Sequence, residues 1–379
     1  MYLSELVIRN FRLFGEGETE FHLRFQPGVT VLVGRNDAGK SAIIDAIRYT
    51  LLTREQEYVR VDQEDFHIDD DGNQASSIYI ECTFSELSDD ERAAFLELLS
   101  YVDGNVTLYV TWTARRLSEL PGTRRWVDVS VRSGRGGVGP PLETSTRVLL
   151  ATAYLRPLRD AEREMSSGRR SRLSQILSNV PEISSGDKFD DTNVPPDAAT
   201  VERLGLVGIA EYMRHSIRRH SGVRSSERAI NDQYLGLLSL HGDLLRGKID
   251  VTAGGTDDAR LRQILELLEL CLVSDLTGSP RGRYGLGSNN LLFIACELLL
   301  LGRSAEGVPL LLIEEPEAHL HPQRQIRLMD LLFKASRREV DEVGSEVQIV
   351  VSTHSPNLAS KVPVRNFGTD RGWKSVFFG

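Results

Sequence analysis

The sequence predicts a mixed α/β fold in which two strand-bearing lobes are separated by an all-helical insertion. Three observations predict it. A β-branched run, Val29-Thr-Val-Leu-Val33, stops at Gly34 and is followed by a loop and an amphipathic helical pattern that opens at Lys40. Segments with period-two alternation fill the chain before about residue 155 and return after Pro280. Between them the apolar spacing is helical and strand character is scarce. The expected division is therefore 1–155, 156–279 and 280–379.

A length of 379 residues predicts two to three domains, ample for a sizeable core. Its 40% hydrophobic and 26% charged residues are those of an ordinary globular protein, which argues against a disordered or fibrous chain. The longest apolar candidate for a membrane span, Leu291 to Leu301, is interrupted by Glu297 and is too short. The start, Met1-Tyr-Leu-Ser-Glu-Leu-Val-Ile8, has no basic n-region, so no signal peptide is expected, and the expected setting is cytoplasmic with no membrane. Cys82, Cys271 and Cys296 stand alone, without the C-x2-C spacing of a zinc ribbon, and read as buried thiols in a reducing compartment. A net charge of −9 argues against indiscriminate attachment to nucleic acid but leaves room for a local basic face.

In chain order, Leu3 to Phe11 and Thr19 to Phe25 read as strands around Gly15-Glu-Gly17 and lead into the strand at Val29. The loop Gly34-Arg35-Asn36-Asp37-Ala38-Gly39-Lys40-Ser41, running into Ala42, fits the phosphate-loop pattern G-x4-G-K-[ST] in its required strand–loop–helix context. Gly34 and Gly39 lack a Cβ, so the backbone can turn its N–H groups onto phosphate oxygens at the positive end of a helix. Lys40 supplies a point charge for the outer phosphates, and the Ser41 hydroxyl suits Mg2+. The helix from Lys40 is expected to run to about Leu52, with Ala42, Ile43, Ala46, Ile47 and Leu51 on one face.

An acidic stretch from Asp62 to Asn73 follows, in which Asp69-Asp70-Asp71 reads as a solvated loop rather than a metal site. Ser77 to Ser85 alternates as a strand, and Ser88-Asp-Asp-Glu91 is a capping box for a helix to Leu99. Val106 to Arg115 and Arg125 to Arg132 are further strands, and the glycine-rich stretch from Arg132 to Pro141 reads as a mobile turn or linker. Inside the insertion, helical patterns lie near 198–220, 225–246 and 258–273. Two basic clusters, Arg156 to Arg172 and Arg214 to Arg228, read first as solvated helix faces and alternatively as phosphate-contacting faces for DNA.

After Pro280, a polar glycine turn from Gly285 to Asn290 opens an apolar helix. Val308 to Ile313 is a short buried strand ending in Glu314-Glu315-Pro316; Pro322 to Lys334 is a helix, and Glu346 to Ser352 is a strand with His354 at its end. An apolar strand ending in two acids, downstream of a phosphate loop, places Glu314 toward a metal and Glu315 beside the terminal phosphate, where it orients or deprotonates water. The N–H groups of Gly287, Ser288 and Asn289 at a helix start suit a phosphate. His319 and His321 form an H-x-H pair without a third zinc ligand at sensible spacing.

Taken together, Ile8-Arg-Asn-Phe11, Gly34 to Ser41, Tyr154-Leu-Arg-Pro-Leu-Arg-Asp-Ala161, Gly285 to Asn290, Ile313 to Pro322 and Ser352-Thr-His-Ser355 resemble the ATPase part of the OLD (overcoming lysogenization defect) family of ATP-dependent endonucleases. RecF-like and SMC-like proteins are more distant relatives. The resemblance implies an ABC-type P-loop ATPase with mixed sheet lobes and an inserted all-helical dimerisation domain, using ATP and Mg2+. It implies Lys40, Glu315 and His354 as catalytic and Ser41 with Glu314 as the metal pair. Gly287, Ser288 and Asn289 of one copy would cap the nucleotide of the other, so the expected assembly is a homodimer. DNA is the expected partner of the insertion's basic faces. The family continues into a Toprim nuclease domain, which needs a glutamate and an Asp-x-Asp pair. After His354 the only acid is Asp370, so no intrinsic nuclease activity is expected from this chain, and a nuclease part is cut away, lost or supplied separately. The implied role is ATP-dependent dimerisation that gates DNA processing in phage defence or repair. The alternative is a RecF/SMC-like repair or DNA-bridging ATPase with no nuclease. A transporter subunit would carry L-S-G-G-Q, and a regulatory GTPase would carry Asn-Lys-x-Asp; neither occurs.

Overall fold

Alternating burial builds the first sheet. In a computed structural model of the chain, strands β1 (Tyr2–Arg9), β2 (Phe21–Arg24), β4 (Ser77–Ser85), β5 (Leu99–Val102), β6 (Asn105–Arg116) and β7 (Val127–Ser133) pair antiparallel in the order β2-β1-β4-β6-β5, with β7 also on β6. Residues 1–36, 38–54, 60–102, 104–117, 126–156, 168, 171–178, 180, 183, 185–189, 198–229, 231, 256–268, 270, 286–303, 308–337, 346–360 and 372–378 are described. Ile78, Ile80, Cys82 and Phe84 on β4 and Leu108, Val110, Trp112 and Ala114 on β6 are buried at every second position, the period-two signature of a sheet face on a core. Helix α1 (Lys40–Leu51) packs against β4 and β6 of this sheet. It also packs against strands of the second sheet, so Ile44, Tyr49 and Thr50 are buried as well as the single face the sequence suggested.

Two local expectations change here. The Ser88–Glu91 capping box forms, but helix α2 (Asp89–Ala94) stops early, and Leu99 pairs with Leu108 because Leu99-Ser-Tyr-Val102 joins β6 as a strand. The glycine stretch after β7 is a pinned turn rather than a mobile linker. The buried Glu81 carboxylate accepts from the Gly136 N–H at 2.6 Å and from the Thr111 hydroxyl at 2.9 Å. Helix α3 (Thr144–Leu149) follows.

Residues 162–282 form a compact unit of their own. Its described helices are α4 (Arg172–Ser178), α5 (Ala198–Arg203), α6 (Leu206–Arg219), α7 (Ser221–Ala229) and α8 (Asp257–Leu267). The helix expected near 198–220 is two helices. Leu204 leaves the helical path to bridge Asp187, and the Asp187 carbonyl accepts from the Gly205 N–H at 2.9 Å. Arg260 of α8 pairs with Glu211 of α6 at 2.7 Å, and Phe189 contacts the rings of Tyr212 and His215. Most of the 225–246 pattern and of the Arg156–Arg172 cluster lies outside the described residues. In the second cluster, Arg218, Arg219, Arg224 and Arg228 are exposed. Among the described residues no helix is long and apolar enough to cross a membrane.

The second sheet lies in the unit made by residues 1–161 and 283–379. It combines β3 (Gly28–Gly34), β8 (Ala153–Leu155), β9 (Leu310–Glu314), β10 (Gln348–Thr353) and β11 (Gly372–Phe378), all parallel, in the order β11-β3-β10-β9-β8. Every residue of β9 and β10 is buried, as parallel strands covered on both faces require. Helices α9 (Leu286–Arg303), α10 (Pro322–Ser336) and α11 (Pro356–Ser360) complete this unit. The fold is therefore a mixed α/β fold, with one antiparallel and one parallel sheet.

Candidate nucleotide site

The register of the parallel sheet decides which side chains meet. Thr353 pairs with Val33, Ser352 with Glu314, and Leu155 with Ile313. The residues that follow, Gly34, His354, Glu315 and Arg156, therefore emerge together at the carboxyl edge of the sheet. That edge is where ligands of open α/β sheets bind.

Gly39 caps α1 with φ 90°, a left-handed conformation that glycine adopts without strain. A Cβ there would lie 2.8 Å from Leu13, so the loop also needs the missing side chain for space. Lys40 is buried, and its ammonium donates to the carbonyl of Gly34 at 2.8 Å and to that of Arg35. Gly34, Arg35 and Asn36 line an open cavity of about 720 Å³ with His354, Pro356 and Ala359. Asp37 lies outside the described residues; Ala38 closes the turn by donating to the Arg35 carbonyl at 3.4 Å, and Ala42 is buried in the first turn of α1.

Glu314 is held on both oxygens. The Ser41 hydroxyl donates to Oε2 and the Tyr154 hydroxyl to Oε1, each at 3.0 Å. Burial and then the nearby Asp45 raise its pKa above the usual carboxylate value, against the two hydroxyl hydrogen bonds and Arg48, which lower it. Arg48 stacks 3.8 Å over the Tyr154 ring and pairs with Asp45 at 2.6 Å, and Arg12 pairs with Asp45 at 2.7 Å and Asp65 at 2.9 Å. A raised folded-state pKa favours folding below the unfolded value and loses that contribution as pH rises through the folded value. Glu314→Gln imitates the protonated form, so it is expected to raise Tm at neutral pH, with the gain vanishing in acid; a Tm series against pH on both proteins checks this. Ser41 and Glu314 are hard oxygen donors within one hydrogen bond of each other, a set that fits Mg2+, which keeps most of its waters.

Glu315 adopts φ 44°, a left-handed conformation uncommon for a residue with a side chain, and its N–H donates to the Ser352 carbonyl at 2.9 Å. The strain turns its half-exposed carboxylate away from the strand path toward His354, whose Nδ1 lies 3.5 Å from Glu315 Oε1.

The 287–289 turn falls in a different setting. Gly287 is buried at the start of α9, and a Cβ there would lie 2.5 Å from the backbone oxygen of His319, in the turn after β9. Ser288 accepts from Arg324 of α10 at 2.6 Å, and Asn289 is half-buried. Gly287 thus has a packing duty of its own. Gly287→Ala is expected to cost about 1–3 kcal/mol through overpacking, read as a lower Tm of the nucleotide-free protein. His319 has φ 61°, and His321 caps α10 by accepting from the Gln323 N–H, so both histidines have turn and cap roles.

Sequence reasoning missed Tyr154, the Arg12–Asp45–Arg48 brace and Glu317. Tyr154 stood in a recognised motif, but no local pattern tells that a strand 160 residues upstream will hydrogen-bond Glu314. Glu317 shares its short motif with Glu314 and Glu315, and the clue was an acid too many for surface use.

The family described as AAA ATPase domain matches residues 1–187 and 230–359. The DNA replication and repair protein RecF of Streptococcus uberis is 32% identical over 123 residues, which are 32% of this chain and 30% of that protein. The chromosome partition protein Smc of Mycobacterium tuberculosis is 41% identical over 51 residues, 14% of this chain and 4% of that protein. These alignments span well under two thirds of either relative. Among solved structures, the Smc head domain with an extended coiled coil bound to the C-terminal domain of ScpA, from Pyrococcus furiosus, aligns with TM-score 0.50 at 15% identity over 95% of this chain and 91% of that one. An SmcHead bound to the C-winged helix domain of ScpA aligns equally well, with TM-score 0.50 at 16% identity over 95% and 92%. These likenesses concern the fold. With its family match running through both lobes, the chain belongs to the AAA ATPase domain family.

Proposed function

We propose that this chain binds and hydrolyses ATP as the ATPase module of an OLD-like DNA-processing system. The observation that carries the reading is the register that delivers Gly34, Glu315 and His354 to one sheet edge above a P-loop lysine. In this reading, Lys40 and the loop N–H groups from Gly34 to Ala42 bind the phosphates. Glu315 accepts the proton of the attacking water, and His354 contacts the terminal phosphate. Ser41 and Glu314 hold Mg2+, which when bound would neutralise charge on the phosphate oxygens. Tyr154 fixes Glu314 for that task.

The same reading makes the working form a homodimer. The Gly287–Asn289 turn of one copy caps the nucleotide of its twin, and DNA meets the exposed arginines of α6 and α7. The expected compartment is the cytoplasm. ATP-driven dimerisation gates DNA processing in phage defence or repair, with a nuclease domain or subunit supplied separately. Light scattering with and without ATP and Mg2+ tests the assembly: the ATP-bound protein should double in mass, and a mass indifferent to ATP would count against it.

A second reading, repair or DNA bridging without a nuclease, is compatible with the RecF and Smc relatives. Phosphate release without any partner fits both. Co-purification with a Toprim-containing protein that cuts plasmid only with this chain and ATP would select the first.

A further inference from the structure

Glu317, in the turn after β9, is buried with 6% of its surface exposed. Its Oε1 accepts two hydrogen bonds from the end of β10, from the Thr353 hydroxyl at 2.6 Å and from the His354 backbone N–H at 3.1 Å. The same oxygen lies 3.8 Å from His354 Nδ1. Its other oxygen, Oε2, is buried with no hydrogen-bond partner. A carboxylate buried with one oxygen unsatisfied is costly, and an apolar side chain would serve packing better, so stability does not account for it.

What the carboxylate does instead is tie the end of β10 to the acidic turn after β9. Ser355, beyond His354, continues the tie: its N–H donates to Thr353 Oγ1 at 2.9 Å and its hydroxyl to Gln325 Oε1 at 2.8 Å. Gln325 in turn donates to the Leu320 carbonyl at 3.0 Å. Both neighbours of His354 are therefore anchored by buried side chains, while the imidazole itself is half-exposed beside Glu315.

We propose that Glu317 is a positioning residue: its acceptor oxygen Oε1 holds His354 where the imidazole meets both Glu315 and the terminal phosphate. This rests on the ATPase reading above. The duty belongs to the oxygen's reach, not to its charge. Glu317→Gln keeps an acceptor at that place, since a flipped amide would face two donors with its own. Glu317→Asp keeps the charge and withdraws the oxygen by one methylene.

Phosphate release and fluorescent-ATP binding on the full chain, for wild type and the Gln, Asp and Ala variants, test this. Glu317→Gln should keep kcat within about 3-fold of wild type, while Asp and Ala lose on the order of 10- to 100-fold. ATP affinity should stay within about 3-fold in all of them, since the lost positioning acts on turnover. Thr353→Val added to Glu317→Ala should cost little more than Glu317→Ala alone, because both remove one tie. Should Ala fail to fold, the Gln–Asp contrast decides. Wild-type turnover in Ala, an active Asp beside an inactive Gln, or kcat and affinity falling together would overturn the proposal. A wild type without turnover would refute the ATPase reading instead. The His354 ring resonances then still decide: moved in Asp but not in Gln supports the tie, and unmoved in both overturns it.

Discussion

Glu315→Gln is expected to lower kcat for ATP hydrolysis by on the order of 10²- to 10³-fold while leaving ATP affinity within a few-fold of wild type. The reasoning is geometric. Glu315 leaves β9 at φ 44°, so its carboxylate reaches out beside His354 at the carboxyl edge of the sheet, next to the phosphate loop. Glutamine keeps the shape and the polar contacts, and loses only the ability to take a proton from water. The loss therefore falls on the transition state and not on the bound ground state. The trapped ATP should also hold the dimer together, so the variant is expected to elute at twice the monomer mass with ATP and Mg2+. Normal turnover in this variant would remove Glu315 from the chemistry.

Lys40→Ala is expected to act one step earlier, on binding. The Lys40 ammonium is buried in the loop and engaged by the Gly34 and Arg35 carbonyls, so it stands ready at the loop's mouth with little side-chain freedom left to lose. Charge-assisted hydrogen bonds contribute about 1.5–3 kcal/mol each, so removing the ammonium should weaken ATP binding by about 10- to 100-fold or more. The truncation also leaves the two carbonyls without that donor. Titration with a fluorescent ATP analogue checks this; unchanged affinity would mean that the loop is only a strand-to-helix turn. The contrast between the two variants, one losing rate and the other affinity, is itself diagnostic.

Much of this edge was legible in the sequence because its pieces are local. A β-branched run ending in Gly34, the acids Glu314 and Glu315 closing the apolar run from Leu310, and a histidine after Ser352-Thr353 each announce a strand with something at its end. The pairing of β3 with β10 and of β10 with β9 is not local, and only the structure supplies it. The elements that escaped were short or leaned on distant partners. β8 has three residues, and β11 pairs with β3 across more than 300 positions of sequence. The glycine turn after β7 reads as a linker until Glu81, some 55 residues away, is seen to accept from Gly136. In the sequence Gly287 offers a phosphate its N–H; that its Cα hydrogen leaves room for the His319 carbonyl is visible only with the turn folded against it.

The claim on which the rest depends is that ATP seated on Lys40 is hydrolysed by water activated at Glu315. Acid quench of the protein mixed with radiolabelled ATP and Mg2+ tests it most directly, by separating bound ATP from bound ADP over time. The account predicts ADP accumulating on wild type and intact ATP persisting on Glu315→Gln at equal occupancy. Equal rates of ADP formation on the two proteins would contradict it.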